Sequence, residues 1–133
     1  MICTIDSKPV AKGRPRLGRY GTYTPKKTVE YERLIKEEFI KQCKGKYDSE
    51  YLGAVSIKMN FYFQPPKNTS KKMMLEICNT PRLKKPDLDN LEKAILDALN
   101  GIAWHDDNQV YKIETEKLYA KEDRIVIEVV YEN

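Results

Sequence analysis

The sequence predicts an α+β fold: a mixed or antiparallel sheet of about four strands with helices packed on one face, in the order β-α-β-(α)-α-β-β. Apolar and polar side chains alternate in residues 54–63, AVSIKMNFYF, which indicates a strand with one buried face. Apolar side chains recur at helical spacing in residues 25–43 and 88–100, which indicates two amphipathic helices. The length of 133 residues suits a single domain over residues 1–133.

The first part of the chain is expected to hold a strand, a loop and a helix. Residues 2–6, ICTID, alternate as a short strand, and residues 8–24 hold two prolines and three glycines, which favour a basic loop. The pair Thr24-Pro25 predicts a helix start with Thr24 as its N-cap, and Gly45 supplies the stop signal. The predicted buried stripe of this helix is Val29, Leu34, Ile35, Phe39 and Ile40.

The second half is expected to hold a short helix, a longer helix and two strands. Residues 67–85 form a long basic connection, with a short helix that begins near Thr69 or Ser70. Residues 109–120 and 124–130 are typical of strands, joined by a turn between them. The apolar face of the longer helix is expected to hold Leu88, Leu91, Ile95, Ala98 and Leu99.

Composition indicates a cytoplasmic globular protein with a polyanionic partner. No apolar run approaches the roughly 20 residues that a membrane helix needs, so no membrane contact is expected. The three scattered cysteines form no CxxC motif and, with a single histidine, indicate free thiols rather than a zinc site. Basic residues outnumber acidic ones by seven to one in residues 1–27 and by six to one in residues 67–85. Such concentrated charge is typical of a DNA- or RNA-binding surface, with solubility as the alternative.

Two acidic pairs flank the longer helix, and each has an ordinary explanation. Asp87 is placed to cap the helix, and Asp89 to pair with Lys93 one turn later. Asp106 and Asp107 are typical of a polar turn. If the carboxylates instead converge, each close pair repels by on the order of 4 kcal/mol, which a cation removes. Oxygen ligands without histidine or cysteine select Mg²⁺ or Mn²⁺. Asp106 and Asp107 follow the end of the longer helix, so they can approach Asp87 and Asp89 at its start only if the loop of residues 103–108 is extended.

Three motifs resemble the RusA family of Holliday-junction resolvases. They are KGRPR in residues 12–16, YTPKKT in residues 23–28, and KKPDLDNLEKAILDALNGIAWHDDNQV in residues 84–110. The resemblance covers most of the chain, with the motifs in the same order. It implies a RusA-like nuclease domain in which the metal ligands and the active-site lysine are Asp87, Asp89, Asp107 and Lys93.

The resemblance also implies an activity, a cofactor and partners. The implied activity is an endonuclease that resolves four-way DNA junctions in recombination and repair by paired symmetric nicks, which requires a homodimer. Mg²⁺ is the implied cofactor, and Mn²⁺ is expected to replace it. Pro86 and His105 depart from the family pattern, and these departures bear on the preferred cleavage sequence. The basic residues expected to contact branched DNA are Lys12, Arg14, Arg16, Lys26, Lys27, Lys71, Lys72, Lys84 and Lys85.

Three alternatives stay open at the level of sequence; the third, a purely structural scaffold, ranks last because it leaves the two basic stretches without a purpose. In the first, the acidic residues only cap and turn, and the protein binds branched DNA or RNA without cutting it. In the second, the protein is a nuclease whose substrates are flaps or forks. A four-way junction incubated with and without Mg²⁺ tests the first alternative, and a panel of branched substrates tests the second.

Overall fold

The alternating segments assemble into a mixed four-stranded sheet and a separate two-stranded ribbon. A computed structural model describes residues 1–13, 16–19 and 21–132, with Arg16 and Tyr23 described through their backbone. The strands are β1 (Ile2–Ile5), β2 (Arg16–Gly18), β3 (Gly21–Tyr23), β4 (Ala54–Phe63), β5 (Val110–Tyr119) and β6 (Arg124–Glu132). The helices are α1 (Lys26–Gln42), α2 (Lys71–Ile77) and α3 (Leu88–Leu99). The sheet order is β1-β6-β4-β5, in which β4 runs parallel to β5 and antiparallel to β6.

Helices α1 and α3 cover one face of this sheet and enclose the core. Every second residue of β4 from Val55 to Phe63 is buried, and Ile127 of β6 lies beside Met59 on the same face. Burial of each such side chain contributes roughly 1.5–3 kcal/mol. Helix α3 adds the buried side chains Leu91, Ala94, Ile95, Ala98 and Leu99. The predicted α+β class and the predicted bounds of β4 are confirmed.

Two predictions about the first part of the chain are wrong. Residues 8–24 include the ribbon of β2 and β3, where the sequence predicts only a loop. Each of these strands has three residues, too few for an alternating pattern to stand out, and Gly21 turns the chain with a φ of 118°. Pro25 is the N-cap of α1 instead of Thr24, and no side chain of the described residues caps this helix.

The buried stripes of the two long helices also differ in part from the prediction. Val29 and Ile40 are 42% and 41% exposed, whereas Thr28 and Tyr31 are buried. The core side of α1 is therefore rotated towards Thr28, Tyr31, Ile35 and Phe39, because the helix meets the sheet along one narrow face. Leu88 is 37% exposed, since it lies in the first turn of α3 at the margin of the core.

Strand β5 is an edge strand, although the turn before β6 suggests a hairpin. Strand β4 lies between β5 and β6, so these two consecutive strands do not pair. The connection that precedes α3 covers part of the free edge. Asn79 N donates to Tyr119 O at 2.7 Å, and Arg82 N donates to Lys117 O at 2.9 Å. The chain that leads into α3 is thereby fixed to the sheet.

The predicted short helix in the basic connection is confirmed as α2. Its N-cap is Ser70, whose hydroxyl accepts a hydrogen bond from Met73 N at 3.1 Å. The three cysteines are free thiols, two of them buried. No helix in the described part of the chain has the length and apolarity to span a bilayer.

Candidate metal and DNA-binding site

The three sequence motifs contact one another around the start of α3. Lys12 N, in the first motif, donates to Asn90 O, in the third, at 3.0 Å. Gly13 N donates to the hydroxyl of Thr28, in the second motif, at 3.1 Å. A side chain at Gly13 would overlap that hydroxyl, so the close approach of these two segments requires glycine. The basic segment of residues 8–24 (the N-terminal basic segment) is therefore anchored to both long helices.

The acids at the start of α3 are exposed and unengaged. Asp87 is the N-cap residue, but its side chain makes no capping hydrogen bond, and Asp89 lies in the first turn. Neither carboxylate forms an ion pair within the described residues. A shallow groove beside them is lined by Ala11, Lys85, Pro86, Asp87 and Asn90. The helix dipole favours negative charge at this end of α3, where both side chains face solvent.

The later aspartate is bound into the fold at the opposite end of α3. The Asp107 carboxylate accepts a hydrogen bond from the indole N–H of Trp104 at 2.9 Å, and its backbone N–H donates to the Asn100 side chain at 3.1 Å. Burial raises the pKa of Asp107, the Trp104 hydrogen bond lowers it, and the charges of Asp97 and Asp106 raise it further. Trp104 is completely buried and anchors this loop against the core.

The loop after α3 is compact, so it keeps Asp107 far from the helix start. A backbone bridge joins Asn100 to Trp104, and Asp106 caps a short 3-10 turn that begins at Asp107. From Asp89 to the end of α3 the helix rises about 15 Å. The described residues of one chain contain no group of three His, Cys, Asp or Glu side chains arranged to hold a metal ion. One chain thus presents Asp87 and Asp89 at one end and Asp107 at the other.

Lys93 and Lys12 differ in exposure and in ion pairing. Lys93 is exposed and makes no ion pair within the described residues, so the ordinary helix pair with Asp89 is not formed. Lys12, whose side chain is only 20% exposed, pairs with Asp97 at 3.0 Å and with Glu32. Burial lowers the pKa of Lys12, but the hydrogen bonds that it donates to these two carboxylates outweigh burial and raise it.

Most of the other cations expected to contact DNA are free to do so. Lys26 forms only an exposed pair with Glu30 at 3.8 Å, which is weak. Arg14 lies outside the described residues, and Arg16 is described only through its backbone. The exposed lysines of the set are Lys26, Lys27, Lys71, Lys72, Lys84 and Lys85.

Sequence reasoning missed two cations that fix the loop before α3. The Lys117 ammonium donates to Lys84 O and to Pro86 O, both at 2.8 Å. The Arg82 guanidinium donates to Lys84 O at 3.1 Å and also to Lys85 O. One signal points to Lys117: the alternation of β5 places it on the same side as half-buried Ile113, where a lysine is unusual.

Taken together, the fold and the site define a small α+β domain with free carboxylates at a helix start, bordered by exposed lysines. Comparisons with known proteins specify this further. The family model described as endodeoxyribonuclease RusA matches residues 6–130. The chain is also 30% identical over 132 residues to the protein named "Uncharacterized protein YqaN" of Bacillus subtilis (strain 168), across 93% of this chain and 91% of that relative. The chain belongs to the RusA endodeoxyribonuclease family, and this membership implies endodeoxyribonuclease activity.

Proposed function

We propose that this protein is a Mg²⁺-dependent endonuclease that resolves four-way DNA junctions by paired symmetric nicks during recombination and repair. One observation carries the proposal: in a chain of this family, Asp87 and Asp89 are exposed carboxylates that have no partner among the described residues, and the exposed lysines Lys84 and Lys85 precede them in the chain. Unpaired acids beside lysines that can hold phosphates are what a metal-assisted phosphodiesterase requires.

The donor set fits a hard divalent cation in chemical type. Asp87, Asp89 and Asp107 offer only oxygen ligands, which suits Mg²⁺ or Mn²⁺ and disfavours zinc. Bound there, the cation supplies activation of water and stabilisation of the charge that develops on the phosphodiester. Asp87 and Asp89 hold their carboxylates at the positive end of α3. Lys93, one turn after Asp89 on the same helix face, neutralises charge on the phosphate.

The separation of the ligands in one chain leads us to place the complete site between two chains. Helix α3 presents Asp89 near one end and Asp107 lies beyond the other, about 15 Å along its axis. A twofold axis perpendicular to α3 would set the start of this helix against the end of its copy. Asp87 and Asp89 of one protomer would then meet Asp107 of its partner, and two such sites would make the two symmetric nicks.

Mixing two inactive variants tests this shared site. Asp89→Asn and Asp107→Asn should each abolish nicking. If the ligands come from both chains, the mixed dimer contains one site with both substitutions and one site with none, so it should nick one strand of a junction. If all ligands come from one chain, each protomer of the mixed dimer lacks a ligand and no nicking returns. Absence of any nicking in the mixture, with mixed dimers verified by mass spectrometry, would contradict the shared site.

We propose that the DNA-facing surface follows the exposed lysines on both sides of the acids. Lys85 lines the groove at Asp87 and Lys84 precedes it in the chain, Lys26 and Lys27 begin α1, and Lys71 and Lys72 begin α2. Arg14 and Arg16, which the sequence also predicts to contact DNA, belong to the basic segment of residues 8–24. Lys12 contributes to this surface mainly by anchoring that segment, because its ammonium is already engaged by Glu32 and Asp97.

A synthetic four-way junction tests the proposed activity directly. With Mg²⁺ the protein should introduce paired nicks at symmetric positions, and with EDTA it should bind the junction without nicking it. Matched flap, fork and linear duplex substrates built from the same oligonucleotides serve as controls. Stronger nicking of flaps or forks than of the junction would overturn the proposed substrate, and binding without nicking at any Mg²⁺ concentration would overturn the proposed enzyme.

A further inference from the structure

Lys117 lies on the helix-covered face of the sheet, where an uncompensated charge is costly. In the parallel register Lys117 is the partner of Phe61, and Ile113 is the partner of Ile57, so Lys117 is on the same face as the buried side chains of β4. Its neighbour on this face, Thr115, donates a hydrogen bond to Glu92 of α3 at 2.8 Å. No carboxylate of the described residues pairs with Lys117. Its charge must therefore be satisfied by other acceptors.

The acceptors are main-chain carbonyls of the loop that precedes α3. Lys117 donates to Lys84 O and Pro86 O, each at 2.8 Å, and Arg82 donates to Lys84 O and Lys85 O. Three consecutive carbonyls are thus held by two cations. Hydrogen bonds from charged donors to carbonyls are stronger than those between neutral groups.

The two cations are themselves fixed to the sheet. Arg82 N donates to Lys117 O at 2.9 Å, which joins the backbones of the two residues. The Arg82 guanidinium also lies 4.1 Å from the centre of the buried Phe63 ring. The loop is therefore held by groups whose positions are set by β4 and β5, and Asp87 follows directly after the last held carbonyl.

We propose that Lys117, with Arg82, is a positioning residue for the metal site: it holds the carbonyls of residues 84–86 so that Asp87 and the adjacent lysines keep their orientation. The proposal rests on the proposed function, since it assigns a purpose to the loop only if Asp87 is a ligand. Residues that orient metal ligands typically change metal affinity or activity by about 10–100-fold when they are replaced.

Lys117→Met tests the proposal because it keeps the aliphatic stem and removes both hydrogen bonds. Half-maximal single-turnover nicking should need roughly 10–100-fold more Mg²⁺, whereas the rate at saturating Mg²⁺ and junction binding in EDTA should stay close to wild type. Lys117→Arg, which keeps charged donors, should recover part of the metal affinity. Lys112→Met is the matched control and should behave as wild type, since Lys112 is an exposed lysine of the same strand whose partner among the described residues is Glu114.

A second measurement tests, without any catalysis, whether Lys117 holds the loop of residues 84–86. In native-state hydrogen exchange, the Leu91 amide, which donates to Asp87 O at 3.2 Å, should exchange at least about tenfold faster in Lys117→Met. Amides of β4 serve as the internal reference for global stability. Unchanged exchange at Leu91 would overturn the proposal, as would a lower saturated rate with unchanged Mg²⁺ dependence, which would indicate direct contact with DNA. If the wild type nicks no substrate, the proposed function fails while the exchange measurement still decides whether Lys117 holds the loop.

Discussion

The two ends of α3 carry acids in opposite states. At its start, the carboxylates of Asp87 and Asp89 are exposed and make no hydrogen bond or ion pair within the described residues. Beyond its end, Asp107 accepts from a buried indole, and nearby Asp97 is paired with Lys12. Acids that are free can bind a ligand without breaking protein contacts, whereas engaged acids also support the fold. The same residue type therefore has different consequences when it is replaced at the two ends.

The largest difference is expected between Asp89→Asn and Asp97→Asn, two substitutions on the same helix. Asp89→Asn removes a proposed ligand and should lower the nicking rate at least about 100-fold, with little change in stability. Asp97→Asn removes the negative charge that faces the Lys12 ammonium and should mainly lower stability. Single-turnover nicking and thermal unfolding of both variants measure the contrast. Equal nicking by Asp89→Asn and wild type would exclude Asp89 from the site.

Asp107 is predicted to have both roles, and two substitutions separate them. Asp107→Asn keeps a carbonyl oxygen that can accept from Trp104, whereas Asp107→Ala leaves a buried indole N–H without an acceptor. The alanine variant should lose about 1–3 kcal/mol of unfolding free energy, and the asparagine variant clearly less. Urea denaturation measures the difference. Both variants should fail to nick; a normally active asparagine variant would leave Asp107 with a structural role alone.

Regular patterns in the sequence predict the frame of this molecule well. The alternation of residues 54–63 matches β4, and the helical spacing near residues 88–100 matches α3, because each pattern records which side chains a single element buries. Trp104 is likewise predictable, since a large aromatic side chain in a loop next to a helix end is stabilised by burial.

The ion pairs of Glu32 and Asp97 and the hydrogen bonds of Asp107 cannot be predicted from such patterns. The Lys12 pairs join residues from three separate segments, and nothing local in those segments indicates that they meet. The compact loop after α3 depends on hydrogen bonds from Asp107 to Asn100 and from Trp104 to Asp107, which a spacing argument does not contain. Whether Asp87, Asp89 and Asp107 bind one metal ion stays a prediction, because the described residues of one chain do not bring the three carboxylates together.

Lys12→Met tests the ion pairs near the end of α3 by removing the cation instead of an acid. The substitution leaves Glu32 and Asp97 without their shared ammonium, in a partly buried setting. We expect a loss of roughly 1–2 kcal/mol, between the values for exposed and for buried pairs. The raised pKa of Lys12 means that this contribution is complete below the ordinary lysine pKa and is lost as pH rises through the higher folded value. The difference between wild type and variant in urea should therefore be constant near neutral pH and shrink only in strong alkali.

The smallest expected effect concerns DNA binding, where the exposed Lys85 is compared with the ion-paired Lys12. Lys85 is exposed at the groove beside Asp87, so Lys85→Met should lower the slope of log affinity against log salt by about 0.9 for one lost phosphate contact. Lys12→Met should leave this slope almost unchanged, because the Lys12 ammonium is held by Glu32 and Asp97. Junction binding in EDTA from low to moderate salt measures both slopes. If the slope fell equally in the two variants, Lys12 would have to leave Glu32 and Asp97 and contact phosphate. The ion pairs of Lys12 in the free protein would then not persist once DNA is bound.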